Sequence, residues 1–257
     1  MTRIGQYEVI KRIGEGGFGH VYQAEHVLLG EKACIKQNKN QSKEDADMLK
    51  AEARLLWNLS DYHSIPASKD LIQVSENELV MVMGFIDGQT LEDIVKEKGP
   101  VHPEDASWMI ERLLGALRYC YCEGVVHSDV KPQNVFIEAR KHDIKLIDFG
   151  LAAYKPNGRS RAKGYTKKFA APELMLGTPP IPETDLYGAG MCVLYAMGGD
   201  IDKKAFPKSV PKELAEFWDR LLRRDPVQRP KWEDEDLIQT LSDIRQKVFG
   251  RRHMSGK

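Results

Sequence analysis

The feature that most constrains the fold of this chain is a change in hydrophobic periodicity near the turn-forming pair Asp87-Gly88. Before this pair, apolar and polar residues alternate in short runs, as they do in half-buried strands. After it, apolar residues recur every three or four positions, as they do on one face of a helix. The sequence therefore predicts an α+β protein with a strand-rich N-terminal lobe and a helix-rich C-terminal lobe.

Five strands and one helix are predicted before residue 86. The helix is expected to start at Ser42, because Asp45 follows three residues later and apolar residues then keep helical spacing from Ala46 to Leu59. The strand patterns cover Tyr7–Ile13, Val21–Glu25, Lys32–Lys36, Leu71–Val74 and Leu79–Phe85.

The C-terminal part is predicted to be mostly helical. Helical spacing starts at Pro103 and is found again in Leu186–Met197 and Leu214–Leu222, whereas Val125–Ile137 and Asp143–Ile147 have β-like patterns. The apolar run from Gly188 to Gly199 has 12 residues, which is too short to span a bilayer and is typical of a buried helix.

Charge, cysteine content and the N-terminal sequence narrow the function classes. Lys plus Arg and Asp plus Glu both number 38, so no overall field attracts nucleic acid or an anionic membrane, and neither is expected as a partner. The first residues lack the apolar segment of a signal peptide, and the four cysteines lack metal-finger spacing. We therefore expect a cytoplasmic protein whose cysteines are small buried hydrophobic residues in a reducing compartment.

A glycine cluster from Gly14 to Gly19 has the pattern G-x-G-x-x-G-x-V. A dinucleotide-binding fingerprint would need a helix directly after the glycines, but the alternating residues from Val21 predict a strand. This arrangement favours a hairpin whose backbone N–H groups approach phosphates, with an ordinary glycine-rich hairpin as the alternative.

Lys36 and Glu52 could form a positioned ion pair. Lys36 ends a predicted strand, where a lysine is ordinarily a solvated charge, and Glu52 flanks the buried face of the predicted helix. A lysine held by a glutamate next to phosphates would act as a point charge for the anion.

The most informative segment is His127-Ser128-Asp129-Val130-Lys131-Pro132-Gln133-Asn134, which is bordered by apolar residues on both sides. Pro132 is expected to keep this loop from being helical. A second aspartate, Asp148, follows an apolar strand pattern and precedes Phe149-Gly150. Carboxylate and amide oxygens are ligands that Mg²⁺ prefers, so Asn134 and Asp148 are candidate metal ligands, with a polar surface turn as the alternative.

Taken in order, these segments resemble the eukaryotic-like (Hanks-type) serine/threonine protein kinase family. Ala171-Pro172-Glu173, Asp185 in D-x-Y-x-x-G and the late Arg229 also occur in family order. The resemblance covers about Tyr7 to Phe249, and the D-G-Q-T-L stretch and short length are most similar to bacterial members. It implies a bilobal kinase domain over residues 7–249, with an N-lobe at about 7–83, a hinge at about 84–88 and a C-lobe at about 89–249. A disordered basic tail is expected at residues 250–257.

The resemblance also implies the role of each site residue. Asp129 would accept the proton of the attacking hydroxyl, Lys131 would neutralise the transferred phosphoryl group, and Thr166 would contact Asp129. Lys36, held by Glu52, would bind the α- and β-phosphates of ATP, and Asn134 and Asp148 would hold Mg²⁺, which Mn²⁺ could replace. Met83 would be the gatekeeper beside the adenine. The full set of expected nucleotide-binding residues is Ile13, Gly14, Glu15, Gly16, Gly17, Phe18, Gly19, His20, Val21, Ala33, Lys36, Met83, Gly84, Phe85, Ile86 and Phe136.

Three departures from the family pattern bear on regulation and substrates. Ser128 replaces the arginine that pairs with a phosphorylated activation loop, so basal activity is expected to need no such phosphate. The segment from Leu151 to Pro172 contains six basic and no acidic residues, which suggests protein substrates with acidic flanks, a solvated loop or an autoinhibitory contact. The helical insert after Met197 looks short compared with that of the family. Glu173 and Arg229, in contrast, follow the family pattern and are expected to form an ion pair.

Two other functions stay open. A kinase of small molecules would not need Thr166 or the A-P-E element, which serve peptide binding. A pseudokinase scaffold would not need all five of the residues that the family uses for transfer, which are Lys36, Glu52, Asp129, Asn134 and Asp148. We also expect control by a separate regulatory partner or by expression level.

Overall fold

The chain divides into two compact units close to the predicted change in hydrophobic periodicity. The computed structural model describes residues 2–16 and 19–251. The first compact unit runs to Asp87 and the second begins at Gly88, and each is considered by itself. The predicted α+β class is confirmed, since one unit is rich in strands and the other in helices.

The first unit is built on a six-stranded antiparallel sheet with strand order β1-β2-β3-β4-β6-β5. All five predicted strands are confirmed, and a short strand before them, β1, was not predicted. The strands are β1 (Arg3–Ile4), β2 (Tyr7–Gly16), β3 (Gly19–His26), β4 (Lys32–Asn38), β5 (Ser68–Ser75) and β6 (Glu78–Gly84).

The helix of the first unit, α1 (Lys43–Asn58), begins as predicted. The Ser42 hydroxyl caps it by accepting the backbone N–H of Asp45 at 3.1 Å. The helix buries Ala46, Leu49, Ala53 and Leu56, the predicted apolar face, and packs on β4, β5 and β6. This packing brings Glu52 against the sheet.

Within residues 88–251, the second unit contains five short strands. Its three-stranded sheet has the order β10-β9-β7, and β8 pairs with β11. The predicted β-like region Val125–Ile137 is thus two strands separated by the loop that carries Asp129. The strands are β7 (Gln89–Thr90), β8 (Val125–Val126), β9 (Val135–Glu138), β10 (Asp143–Leu146) and β11 (Ala153–Tyr154).

The described residues of the second unit also form six α-helices, of which α5 is largely buried. The predicted buried helix is confirmed, because 12 of the 15 residues of α5 are buried. Helix α3 packs against α5 and α7, and α5 also contacts α6 and β8. The helices are α2 (Leu91–Lys98), α3 (Pro103–Cys122), α4 (Pro172–Met175), α5 (Pro182–Ala196), α6 (Lys212–Leu221) and α7 (Leu237–Phe249).

Two finer predictions from the sequence, on the loop at Pro132 and on the cysteines, differ from the structure. Residues Pro132–Asn134 form a short 3₁₀ turn, since proline is tolerated in a first turn, so the expectation of a wholly non-helical loop is wrong. All four cysteines are free, but only Cys120 and Cys192 are buried as expected, since Cys34 is half-buried and Cys122 is exposed at the end of α3. No helix in the described ranges is long and apolar enough to cross a membrane.

The expected tail begins within the described residues. Gly250 ends α7 with a positive φ of 73°, and the Arg251 guanidinium is 2.6 Å from the Glu104 carboxylate. The remaining residues, 252–257, lie outside the described part of the chain.

Candidate active site

In the first unit, Lys36 and Glu52 form a buried ion pair. The Lys36 ammonium lies 2.8 Å from both carboxylate oxygens of Glu52, and the two residues are 6% and 3% exposed. Strand β4 supplies the lysine and the inner face of α1 supplies the glutamate. The predicted pair is therefore present, and packing of the helix on the sheet fixes the position of the positive charge.

The glycine cluster lies where two paired strands meet. Strand β2 ends at Gly16 and β3 begins at Gly19, which confirms the predicted strand after the glycines. A Cβ atom on Gly19 would lie 2.3 Å from the Gln37 carbonyl oxygen, so only glycine fits at that position. The predicted phosphate-binding residues Gly17 and Phe18 lie outside the described residues.

The remaining predicted phosphate-loop residues differ in environment. Gly14 pairs with Val21 and Glu15 pairs with His20 across the β2–β3 ladder. The Glu15 carboxylate forms ion pairs with Arg12 and Lys39, and these charges lower its pKa, with Arg12 contributing most. Glu15 is therefore a surface charge, already neutralised by two basic neighbours.

Strand alternation separates the predicted adenine-binding residues into two faces of the sheet. The ladder places Val21 opposite Lys36 and Cys34 opposite Met83, so Val21, Cys34, Lys36 and Met83 share a face. Ala33 points to the other face, where it packs in a buried cluster with Ala24, Ile35, Val80 and Val82.

Cys34 therefore replaces Ala33 as the candidate for contact with adenine. Ala33 lies on the face opposite Lys36, because one residue of difference along a strand reverses the direction of the side chain. Cys34 is half-buried, and burial raises the pKa of its thiol to about 11. Counting back two residues from Lys36 would have found it.

The other predicted adenine-binding residues lie as follows. Met83 and Gly84 end β6, and Phe85 and Ile86 follow directly. Ile13 is exposed on β2, the Lys32 ammonium lies over the Phe85 ring, and Phe136 belongs to β9 of the second unit.

In the second unit, the Asp129 carboxylate is the centre of a hydrogen-bond network. Thr166 donates its hydroxyl to Oδ1 of Asp129 at 2.7 Å, and the Lys131 ammonium is 2.5 Å from Oδ2. Lys131 also donates to the Thr166 hydroxyl at 2.8 Å. These contacts join three predicted catalytic residues, with Thr166 contributed by a segment 37 residues further along the chain.

Asn134 and Asp148 are brought together by a pair of antiparallel strands. Val135 of β9 pairs with Leu146 of β10, and the N–H of Ile147 donates to the Asn134 carbonyl at 2.9 Å. The Asn134 amide nitrogen donates to the Asp129 backbone carbonyl at 3.0 Å. The amide oxygen of Asn134 is then the atom that can ligate a cation, and Asp148 follows Ile147 directly.

Amide and carboxylate oxygens are hard ligands, which fit a hard divalent cation such as Mg²⁺ or Mn²⁺. In the described part of the chain, no cluster of three or more His, Cys, Asp or Glu residues could hold a metal ion. A site made of one amide, one carboxylate and phosphate oxygens is typical of Mg²⁺.

The backbone of the loop that carries Asp129 is held by Asp185 of α5. Its carboxylate accepts the backbone N–H groups of His127 at 2.6 Å and Ser128 at 2.8 Å. Burial raises the pKa of Asp185 to about 7, although both hydrogen bonds act in the opposite direction. Asp185 stood in a recognised motif in the sequence, but its role as the anchor of this loop was not predicted.

His127 supports the same loop from inside the core. Its ring is fully buried and packs edge-on against Phe149, and burial lowers its pKa. A neutral ring that donates from Nε2 to the Ile147 carbonyl leaves Nδ1 to accept the N–H of Asp129 at 3.3 Å.

Glu173 and Arg229 form the predicted ion pair. The Arg229 guanidinium donates to both Glu173 oxygens at 2.6 and 2.8 Å, and both residues are buried. Burial alone would raise the pKa of Glu173, but the hydrogen bonds from Arg229 and its positive charge bring the pKa below the ordinary value.

Arg229 uses every donor that a guanidinium has. Besides Glu173, it donates to the backbone carbonyls of Arg223, Glu183 and Arg224 at 2.8, 2.9 and 3.2 Å. Five N–H groups thus make five hydrogen bonds, and the guanidinium also lies over the Tyr187 ring.

Comparison with known proteins agrees with this geometry. A family model described as the protein kinase domain matches residues 7–202. This chain belongs to the protein kinase family. The bilobal kinase fold expected from the sequence is thereby shown, with Asp129, Lys131 and Asn134 of this kinase in the matched region.

Relatives of the kinase have been named in fungi, microsporidia and plants. The carbon catabolite-derepressing protein kinase of Candida tropicalis is 32% identical over 201 residues, which cover 76% of this chain and 32% of that protein. A probable serine/threonine-protein kinase KIN1 homolog of Enterocytozoon bieneusi is 34% identical over 198 residues, covering 76% and 33%. The SNF1-related protein kinase catalytic subunit alpha KIN12 of Arabidopsis thaliana is 26% identical over 264 residues, covering 96% and 52%.

Two conclusions follow from these relatives. This kinase spans a third to a half of the length of each of the three. All three are eukaryotic, so the expected grouping with bacterial kinases is not supported.

Proposed function

We propose that this kinase transfers the γ-phosphoryl group of ATP to serine or threonine hydroxyls of proteins. The observation that carries the proposal is the Asp129–Lys131–Thr166 network, which pairs a carboxylate with an ammonium group. Thr166 belongs to the segment before Ala171-Pro172-Glu173, and the family uses this segment to bind peptides.

In the proposed reaction, the acceptor oxygen attacks the γ-phosphorus while its proton passes to the Asp129 carboxylate. A new O–P bond forms, the bond between the γ-phosphorus and the bridging oxygen breaks, and ADP leaves with that oxygen. Lys131 stabilises the negative charge of the transferred group. Such catalysis depends mainly on positioning and electrostatics.

Several residues of this chain are proposed to bind the nucleotide and its cation. Lys36, fixed by Glu52, binds the α- and β-phosphates, and Asn134 and Asp148 hold Mg²⁺ or Mn²⁺. A bound cation would supply positive charge that neutralises the phosphates. In the first unit, Cys34, Val21 and Met83 are proposed to contact the adenine.

The proposal is tested by transfer of labelled γ-phosphate from ATP and Mg²⁺ to a protein acceptor, followed by mapping of the product. The wild type should give phosphoserine or phosphothreonine, and Asp148→Asn should give none while keeping its fold by circular dichroism. ATP binding without transfer by the wild type would indicate a pseudokinase. ATP turnover without protein labelling would indicate a small-molecule acceptor.

We further propose that basal activity needs no phosphorylated activation segment. Ser128 is buried, and its hydroxyl donates to the Val126 carbonyl at 3.3 Å, so it provides no cation for a phosphate. Enzyme treated with phosphatase should transfer phosphate as fast as untreated enzyme. A large loss of activity after treatment would contradict this.

The six basic residues of the segment before Pro172 support a preference for acidic flanks around the phosphorylated residue. All six are exposed. Two of them also make contacts within the protein, since Lys163 donates to the Ala152 carbonyl at 2.8 Å and Lys168 lies over Phe169 and Tyr195. A peptide library should show selection for Asp or Glu near the acceptor.

Three further expectations from the sequence stay predictions. They are a kinase domain spanning 7–249, a cytoplasmic location and a regulatory partner.

A further inference from the structure

A groove of about 530 Å³ opens on the second unit directly after the segment that contains Thr166. Its walls include Pro172 and Leu176 on one side and Arg223, Arg224 and Pro226 on the other. The groove lies outside the Asp129 network, and nothing in the proposed chemistry uses it.

One wall of the groove is apolar and accessible to solvent. Leu176 is 78% exposed, and Val227, which follows Pro226 directly, is 75% exposed. Other leucines of the second unit, such as Leu174 and Leu222, are buried. An exposed leucine beside prolines offers a surface on which an apolar side chain can be buried.

The other wall carries the exposed side chains of two arginines, Arg223 and Arg224, next to the carboxylate of Asp225. Neither Arg223 nor Arg224 forms an ion pair with any carboxylate among residues 2–16 and 19–251. Glu173 is paired with Arg229, whereas Asp225 keeps its negative charge at the groove although one of its oxygens accepts the N–H of Val227, so the two arginines carry one more charge than Asp225 offsets. Asp219 also acts on Arg223, which leaves Arg224 as the less compensated of the two.

The wall that carries these arginines is held rigidly from below. Arg229 donates to the backbone carbonyls of Arg223 and Arg224 and ties both to Glu173 on the opposite wall. The backbone is therefore fixed, while the two arginine side chains are exposed. A surface that is ordered before binding loses less entropy when a partner binds.

We propose that this groove docks a segment of the protein substrate in which an apolar side chain is flanked by Asp or Glu carboxylates. The apolar side chain packs on Leu176 and Pro172, and the carboxylates bind the guanidinium groups of Arg223 and Arg224. Charge complementarity selects this occupant. The inference rests on the proposed function, because it assigns the segment to a substrate.

The test is direct binding of a labelled peptide to the full chain, followed by fluorescence anisotropy. The peptide has about twelve residues, with one leucine flanked by glutamates, and contains no Ser, Thr or Tyr, so it cannot be phosphorylated. It should bind at least roughly tenfold more tightly than the same peptide with glutamine for glutamate, since hydrogen bonds between charged groups are the stronger ones.

Substitutions in the groove test whether the peptide binds there. Arg223→Glu with Arg224→Glu should weaken binding at least roughly tenfold, and Leu176→Ser should weaken it severalfold. The arginine variant should fold, because Arg229 contacts the backbone carbonyls at these positions and not the side chains. Lys208→Glu reverses an exposed charge away from the groove and should bind like the wild type.

Equal binding of the acidic and the neutral peptide would overturn the proposal, as would unchanged binding by the double arginine variant. Binding only when phosphoserine replaces glutamate would also overturn it. A wild-type dimer that the double variant dissociates in sedimentation would assign the groove to a second copy of the chain and would overturn the substrate assignment.

A parallel assay separates this inference from the proposed function. Phosphate transfer to a basic acceptor protein that lacks acidic segments should be the same in the wild type and the double arginine variant. Transfer without peptide binding would overturn only the groove. Peptide binding without any transfer would leave the groove as a docking surface and overturn its assignment to a kinase substrate.

Discussion

The hydroxyl of Thr166 links the proposed base, Asp129, to Lys131, the lysine proposed to neutralise the transferred phosphoryl group. It donates to Asp129 and accepts from Lys131, so one side chain fixes the orientation of two charged groups. Because misplacement of a catalytic group by about 1 Å can cost a factor of about 100 in rate, this hydroxyl should matter even though it touches no reacting atom.

We expect Thr166→Ala to lower kcat by roughly 10- to 100-fold with little change in the KM for ATP. Thr166→Ser keeps the hydroxyl and should retain most of the activity. Steady-state kinetics at saturating acceptor would measure both. Equal loss in the serine and alanine variants would show that the methyl group or the packing, rather than the hydrogen bonds, is what matters.

Cys34 and Ala33 are neighbours in sequence that face opposite sides of the sheet. A leucine at Cys34 should therefore raise the KM for ATP by roughly tenfold, because it fills space on the Lys36 face. A valine at Ala33 overfills the cluster of Ala24, Ile35 and Val82, and should lower the free energy of unfolding by about 1–3 kcal/mol.

Kinetics and urea unfolding of both variants test this assignment. The Ala33 variant should keep the KM of the wild type once it is folded. If instead Ala33→Val raised the KM and Cys34→Leu did not, adenine would contact the other face.

At the scale of elements, Glu173 of α4 is linked to the loop after α6 through Arg229. The folded state holds the Glu173 pKa below its ordinary value, so the carboxylate contributes stability above about pH 4.5. That contribution is lost as the pH falls through the lowered pKa, because the folded state must then take up a proton that the unfolded state already carries.

We therefore expect Glu173→Gln to destabilise the protein at neutral pH by roughly 3–5 kcal/mol, since it leaves a buried guanidinium without its counter-charge. Its unfolding free energy should also fall less steeply than that of the wild type between pH 5 and pH 3. Urea unfolding across this range measures both effects. Glu216→Gln, which removes one partner of an exposed pair with Lys212, should change stability by less than about 0.5 kcal/mol.

Most elements could be predicted because their burial follows a simple period. Strands β2, β3, β4 and helix α1 show this clearly, since alternation and a Ser42 cap mark them in the sequence. Helix α2 was not predicted because it is short and buries only Leu91, although Thr90 and Asp93 form a capping signal. The two-residue strand β1 has too few residues for any period to be recognised.

The residues of the site were predicted less completely than the strands and helices, for a physical reason. Local motifs identified Asp129, Lys131, Asn134 and Asp148, which lie close together in sequence. The support from Asp185 crosses 58 residues and depends on how α5 packs, which no local pattern contains. The groove beside Leu176 likewise arises from two distant loops joined by Arg229.

At the scale of the whole molecule, positive and negative charges are equal in number. The formal net charge is zero at pH 7 and the isoelectric point is about 7.1. A protein near its isoelectric point repels its copies weakly and attracts polyanions weakly.

We expect a solubility minimum near pH 7 and no retention on double-stranded DNA at about 0.15 M salt. Solubility measured from pH 5 to pH 9 and chromatography on immobilised DNA would check this. Retention that falls steeply with salt would show that the basic segment before Pro172 acts as a nucleic-acid surface despite the neutral total.

Arg229 also offers a spectroscopic probe of the second unit. A guanidinium whose five protons are all bonded and shielded from water cannot rotate freely about its bonds, so its side-chain nitrogens should give separate, slowly exchanging NMR signals. Exposed arginines average these signals by rotation and exchange. The Arg229 resonances would therefore report, without any added label, whether Glu173, at the end of the segment that contains Thr166, is anchored.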